Sequence, residues 1–316
     1  MSNKIMLATK SLSRFYGTQQ AVNNVSFEVH QGEVLGFLGA NGAGKSTTMK
    51  MLSGNLAPDH GEITINGIDL LTAPKQAKAH IGYLPEQPPV YKELTVKEFL
   101  SFCAQLNQIP SSQRQSAIDT VIERCGLSHV TRRLIGHLSK GYQQRVGIAQ
   151  AIIHSPAVVI LDEPTSGLDP IQIREIRHLI REIASEHSVI LSTHILPEVQ
   201  MLCDRVQIIN EGSLIFNDSI LGLSQQMEAS NLLITLSRPP DISRLLQLEG
   251  VVTVDTLSSN RFRLHYQPDH NPTEALLDHA VAEKWQLLEL TPERHSLEDV
   301  FMNIIQDESS SSEQVS

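Results

Sequence analysis

The chain has 316 residues, enough for about two domains of ordinary size, each able to bury a core. Hydrophobic residues make up 41% and charged residues 19%, which excludes collagen-like, wholly disordered and disulfide-scaffold chains. Acidic residues outnumber basic ones by 35 to 25, and the net charge of −10 with no basic run disfavours non-specific grip on nucleic acid.

No apolar run reaches the roughly 18 to 20 residues of a membrane helix, and the first residues lack the apolar stretch of a signal peptide. Cys103, Cys125 and Cys203 lie far apart without CxxC spacing, which suits a reducing compartment and excludes a zinc finger.

Residues Ala21 to Val29 read as a strand, and Gly32 to Gly39 holds a second, short and apolar, that ends in glycine. Alternation returns from Glu62 to Ile68. Helical spacing over Val96 to Ile109 and Arg114 to Cys125 predicts a mostly helical insert at about 92 to 137, and the helix after Gly141 extends the helical region to about 155. Val158 to Leu161 and Ser188 to Leu191 are aliphatic strands flanking the helical stretch Ile173 to Ser185. Strand, helix, strand in this order predicts a parallel α/β sheet. Val206 to Asn210 and Ser213 to Asn217, joined by Glu211-Gly212, predict a closing hairpin.

Past residue 228 the pattern changes to strand 231 to 237, helix 241 to 248, strands 251 to 257 and 260 to 266, helix 273 to 283 and strand 285 to 290. That is the β-α-β-β-α-β order of a small ferredoxin-like α+β domain at 229 to 306. A docking helix with Leu297, Val300, Phe301, Ile304 and Ile305 on one face, and Ser296 and Asp299 placed as cap and third residue, closes it. Residues 307 to 316, rich in Ser and Glu, are expected to be a disordered tail.

Two features carry chemistry. Gly39-Ala-Asn41-Gly42-Ala-Gly44-Lys45-Ser46 fits GxxxxGK[ST], in which glycines turn backbone amides toward phosphate, the lysine neutralises it and the hydroxyl holds Mg²⁺. Thr47 continues into the helix whose positive end faces the phosphates. Val158 to Leu161 then delivers Asp162 and Glu163 at a strand's C-terminal end, where ligands bind in parallel sheets. Asp162 is expected to complete a Mg²⁺ shell and Glu163 to orient or deprotonate an attacking water.

A third segment, Leu138-Ser139-Lys140-Gly141-Tyr142-Gln-Gln-Arg145, resembles the signature motif of the ATP-binding-cassette family. Tyr16 resembles the family's adenine-stacking aromatic, Gln87 its loop glutamine and Mg²⁺ ligand, Ser166 to Asp169 its D-loop, and His194 its switch histidine. These motifs, in order, thus cover about residues 5 to 217. Lys140 and Tyr142 depart from the common LSGGQ form, while Ser139 and Gly141 are kept. The resemblance implies an ATPase domain over 1 to 228, binding ATP and Mg²⁺. In that family two cassettes pair head to tail, each signature covering the ATP of the other, which implies a homodimer.

The segment Glu293 to Phe301 is similar to the end of cassettes serving ABC-2-type exporters of drugs, polysaccharides or gliding motility. It implies a cytoplasmic subunit held at the inner face of the membrane by ABC-2-type permease subunits. The alternative from another class is a soluble ABC switch acting on nucleic acid or ribosomes. The acidic net charge, single cassette and lack of coiled-coil heptads weigh against it.

Overall fold

The computed structural model describes residues 4–225, 231–267 and 270–293. The chain forms two compact units, 1–220 and 221–316. The first runs β1 (Ile5–Tyr16), β2 (Gln19–His30), β3 (Val34–Leu38), α1 (Lys45–Leu52), β4 (His60–Ile65), β5 (Ile68–Asp69), α2 (Pro74–Lys78) and β6 (Ile81–Leu84). It continues with α3 (Val96–Leu106), α4 (Ser111–Arg124), α5 (Lys140–Ile152), β7 (Val158–Asp162), α6 (Pro170–Ala184), β8 (Ser188–Thr193), α7 (Leu196–Leu202), β9 (Arg205–Asn210) and β10 (Ser213–Ser219). Helix α8 (Ile220–Gln225) follows at the division between the units.

A six-stranded sheet of order β10-β9-β3-β8-β7-β6 forms the base of this unit, parallel throughout except for β10 against β9. Strands β3, β7 and β8 are buried along their whole length. Burial on both faces is why they read as continuous aliphatic runs instead of alternating ones. Register places Leu38 beside Thr193 and Asp162 beside Ser192. The residues that follow these strand ends therefore emerge side by side.

A second, antiparallel sheet of order β2-β1-β4-β5 packs in the same core, with Phe27 of β2 lying 5.8 Å from Phe37 of β3 between ring centroids. Strand β1 escapes a search for alternation. Register shifts on either side of Leu12, with Ser11 at a φ of 49°, break its period of two.

The helical region begins with a capping box: the Thr95 hydroxyl accepts from the Glu98 amide, and Glu98 Oε2 accepts from the Thr95 amide at 2.8 Å. Val96, Phe99, Leu100 and Cys103 of α3 and Ile118, Val121 and Ile122 of α4 turn inward. All three cysteines are free and buried, and burial pushes the Cys103 and Cys125 thiols up to about 12.

The second unit comprises β11 (Asn231–Leu236), α9 (Ile242–Leu246), β12 (Val251–Ser258), β13 (Arg261–Tyr266), α10 (Thr273–Ala282) and β14 (Leu287–Glu293). Its antiparallel sheet has the order β12-β13-β11-β14, the ferredoxin-like arrangement that its β-α-β-β-α-β sequence calls for. Leu232, Ile234, Phe262, Leu264, Leu276 and Trp285 fill its core. The intervening residues of β13 make ion pairs on the sheet surface, Arg263 reaching across β11 to Glu293 of β14 at 2.5 Å and His265 meeting Asp255 of β12 at 2.8 Å. The closing helix at 296–305 and the tail at 307–316 lie outside the described residues. Among the described residues no helix is long and apolar enough to cross a membrane.

Candidate active site

The site begins where β3 ends. Gly42 and Gly44 of the loop before α1 have φ of 85° and 108°. A Cβ on Gly44 would stand 2.5 Å from the Ala21 carbonyl, so only glycine fits. Helix α1 has no side-chain cap and no acidic residue in its first turn, which leaves its leading amides free for an anion. The Lys45 side chain is folded into the loop: Nζ donates to Gly39 O at 2.7 Å and Ala40 O at 3.1 Å, and lies 3.8 Å from Glu163 Oε1. Burial pulls its pKa down, opposed by the charges of Glu163, Asp162 and Glu86. An ammonium has three N–H donors, so one remains for a phosphate oxygen.

Asp162 ends β7 and is 2% exposed. Ser46 Oγ lies 3.5 Å from its Oδ1. Burial raises the Asp162 pKa, opposed by the nearby Ser192 and Ser46 hydroxyls and the Lys45 charge, which favour the ionised form. Glu163 sits in left-handed backbone at a φ of 48°, its amide donating to Ser192 O at 2.9 Å. Its pKa is also raised by burial, opposed chiefly by His194 and by Lys45. His194, directly after β8, places Nδ1 2.8 Å from Glu163 Oε2. With Glu163 ionised, that nitrogen carries the proton and donates.

Asn41, Gly42, Gly44, Lys45, Ser46, Thr47, Glu163 and His194 line a cleft of about 320 Å³, with Asp162 buried behind Ser46. Ser46 and Asp162 offer hard oxygen ligands side by side, the chemistry Mg²⁺ prefers. Among the described residues no group of three or more His, Cys, Asp or Glu is placed to hold a metal alone. A cation here would take its remaining ligands from nucleotide and water, as Mg²⁺ usually does.

Four candidates of this cleft are not among its lining residues: Gly39 and Asp162 stand behind it against Lys45 and Ser46, while Gln87 and Tyr16 lie apart. Gln87 is exposed and outside the lining, whereas Glu86 faces in. Both residues lie in the bend that follows β6, where the turn of the backbone decides which of the two meets the site. Tyr16 is 48% exposed at the tip of the β1–β2 hairpin, with the Arg14 guanidinium 5.4 Å over its ring. It is not part of the lining, although the same hairpin contributes Ala21. Ser166, which opens the Ser166 to Asp169 string, lines the cleft as well, and Glu86 is a lining residue that the sequence does not mark out, since it belongs to no chemically distinctive string.

Ser139, Gly141 and Asp169 line a separate cleft of about 520 Å³ together with Tyr142, Arg145 and Gln172. Ser139 caps α5 through a hydroxyl that accepts from the Tyr142 amide at 3.5 Å. Asp169 caps α6, its Oδ1 accepting from Ile171 and Gln172 amides at 3.0 and 2.9 Å. A Cβ on Gly141 would meet Gln172 at 2.7 Å, so the two caps approach closely because position 141 has no side chain. Tyr142 turns away from the cap, its hydroxyl 2.9 Å from His129 Nε2, and Lys140 extends over Gly167.

The family model described as ABC transporter matches residues 22–166. The bacitracin transport ATP-binding protein BcrA of Bacillus licheniformis is 43% identical over 212 residues, covering 66% of this chain and 68% of that protein. The chain belongs to the ABC transporter family. The cassette is also similar to the ABC transporter ATP-binding protein YxlF of Bacillus subtilis (strain 168), 34% identical over 300 residues that cover 95% of this chain and 99% of that one. A solved structure titled as the ATP binding subunit of an ABC transporter superposes with a TM-score of 0.64 at 32% identity, covering 70% of this chain and 92% of that chain. This ABC cassette is an ATP-binding ATPase of mixed α/β fold.

Proposed function

We propose that the protein drives an ABC-2-type exporter, two copies closing head to tail on two ATP molecules beside separate permease subunits in the membrane. The observation that carries this reading is the separation of the two clefts. Lys45, Ser46 and Glu163 line one, Ser139, Gly141 and Asp169 line the other, and among the described residues none lines both. A nucleotide in the first cleft thus needs another copy's signature to cover its exposed side. The likeness to BcrA, named for bacitracin transport, supports the drug branch of that exporter type.

In this reading the loop amides and Lys45 hold the phosphates, and Ser46 and Asp162 hold Mg²⁺. When bound, the ion supplies charge to the phosphate oxygens. Glu163 accepts the proton of the attacking water as its oxygen bonds to the γ-phosphorus and the bond to ADP breaks. The raised pKa of Glu163 brings it nearer the operating pH, where a general base works best. His194 holds that carboxylate in line through its Nδ1–H. Most of the rate enhancement comes from such positioning and charge. Tyr16 stacks on adenine, and the Gln87 segment with the helical region carries closure to the membrane subunits.

Affinity purification of the tagged chain from detergent-solubilised membranes tests the assembly. A multi-span membrane protein at near one-to-one ratio is expected, and its clean absence overturns the exporter reading. Sedimentation of Glu163→Gln at saturating ATP tests the pairing, since a chain that stays monomeric there overturns it.

A further inference from the structure

Behind His194 lies a buried carboxylate that this chemistry does not use. Glu198, in the first turn of α7, is 0% exposed. Its Oε2 accepts from the Thr193 hydroxyl at 3.1 Å, and its Oε1 lies 3.4 Å from Arg177 Nη2 of α6. The Thr193 oxygen accepts in turn from the Ile195 amide at 3.0 Å. One hydroxyl thus ties together the two residues flanking His194, and Glu198 fixes the direction of that hydroxyl. Arg177 is itself held, with Nη1 3.3 Å from the Met201 sulfur.

Packing gives the imidazole little support, because the His194 side chain is 46% exposed. Its aim at Glu163 therefore depends on the backbone turn from Thr193 to Ile195. A carboxylate buried without water is costly unless paired, and a pair serving only to join α6 to α7 would have no need of Thr193.

We propose that Glu198, acting through the Thr193 hydroxyl, is a positioning residue that sets the turn aiming His194 at Glu163. The inference rests on the roles proposed above for Glu163 and His194. In the network Arg177 neutralises Glu198, Glu198 orients Thr193, and Thr193 fixes the backbone on both sides of the histidine.

The test is steady-state ATP hydrolysis by the full chain, with kcat and KM resolved. Thr193→Val removes the hydroxyl at nearly constant shape. It is expected to lower kcat by about tenfold while KM and the thermal midpoint stay near wild type, as for an interaction realised in the transition state. Thr193→Ser, which keeps the hydroxyl, is expected to restore kcat. In a His194→Ala background Thr193→Val should add less than about twofold, because both changes act through one side chain. Glu198→Gln makes the same test if Thr193→Val does not fold. A wild-type kcat in these variants, a full additive loss in the His194→Ala background, or a parallel fall of kcat, affinity and thermal midpoint overturns the proposal. A His194→Ala chain that itself hydrolyses ATP at the wild-type rate overturns instead the roles on which it rests.

Discussion

Nδ1 of His194 and Oε2 of Glu163 lie 2.8 Å apart, although the two residues follow different strands. The contact exists because β7 and β8 are parallel neighbours in register, Asp162 beside Ser192, so the chain leaves both strands at the same edge. The first expectation follows from it. Glu163→Gln keeps the shape and a hydrogen-bonding oxygen but cannot take a proton, and should slow ATP hydrolysis by at least about a hundredfold. Lys45 and the loop amides are untouched, so binding of a fluorescent ATP analogue should persist. A hydrolysis rate within about twofold of wild type would remove Glu163 from the chemistry.

Gly44 offers a test of the phosphate loop that leaves its charged groups in place. Its φ of 108° and the Ala21 carbonyl 2.5 Å from the missing Cβ make alanine incompatible with the native loop. Gly44→Ala should lower the unfolding free energy by about 1 to 3 kcal/mol and abolish ATP binding, measured by urea titration and calorimetry. Wild-type affinity in that variant would mean the loop adapts.

His154 predicts a pH dependence of stability. Burial depresses its pKa below the ordinary 6.5, with Nε2 at 3.0 Å from the Ile81 carbonyl and Nδ1 buried without a partner among the described residues. The Ile81 contact opposes that shift, while the charges of His187 and His80 add to it. As pH falls through 6.5 the unfolded chain takes up a proton that the folded chain still refuses, so stability drops. His154→Gln can still donate to Ile81 but does not titrate. Between about pH 7.5 and 5.5 it should lose less stability than wild type in urea unfolding, and equal losses would rule His154 out as a source.

The two units can be followed separately because the chain's single tryptophan, Trp285, sits 4% exposed in the core of the second. With saturating ATP and Mg²⁺ the far-ultraviolet dichroism transition of the first unit should rise, by about 2.7 kcal/mol at a hundredfold excess over Kd. The tryptophan-fluorescence transition should stay where it was. Coincident transitions that move together would show that the units unfold as one.

Much of this site is legible in the sequence for identifiable reasons. Strands β3, β7 and β8 announce themselves because double burial demands unbroken aliphatic runs, and the residues after them are therefore locatable. Glycine spacing marks the phosphate loop because Gly42 and Gly44 need backbone that other residues avoid. What stays hidden depends on phase or on distance along the chain. The shifts around Leu12 disguise β1, and nothing local tells whether Glu86 or Gln87 faces the cleft. Glu198 reads as an ordinary acidic residue in a helix's first turn until Arg177 and Thr193 are brought against it.

Glu163 carries two costs at one position. Its backbone sits at a φ of 48°, where a non-glycine residue other than asparagine or aspartate is strained by about 1 to 2 kcal/mol, and its carboxyl is buried. Glycine or asparagine there would relieve the backbone, and neither has a carboxylate to bury. A mutant library sorted only for heat tolerance should accordingly enrich those two residues at 163 and return hardy chains that no longer turn over ATP. Anyone breeding a tougher version of this motor would have to select for turnover in the same round.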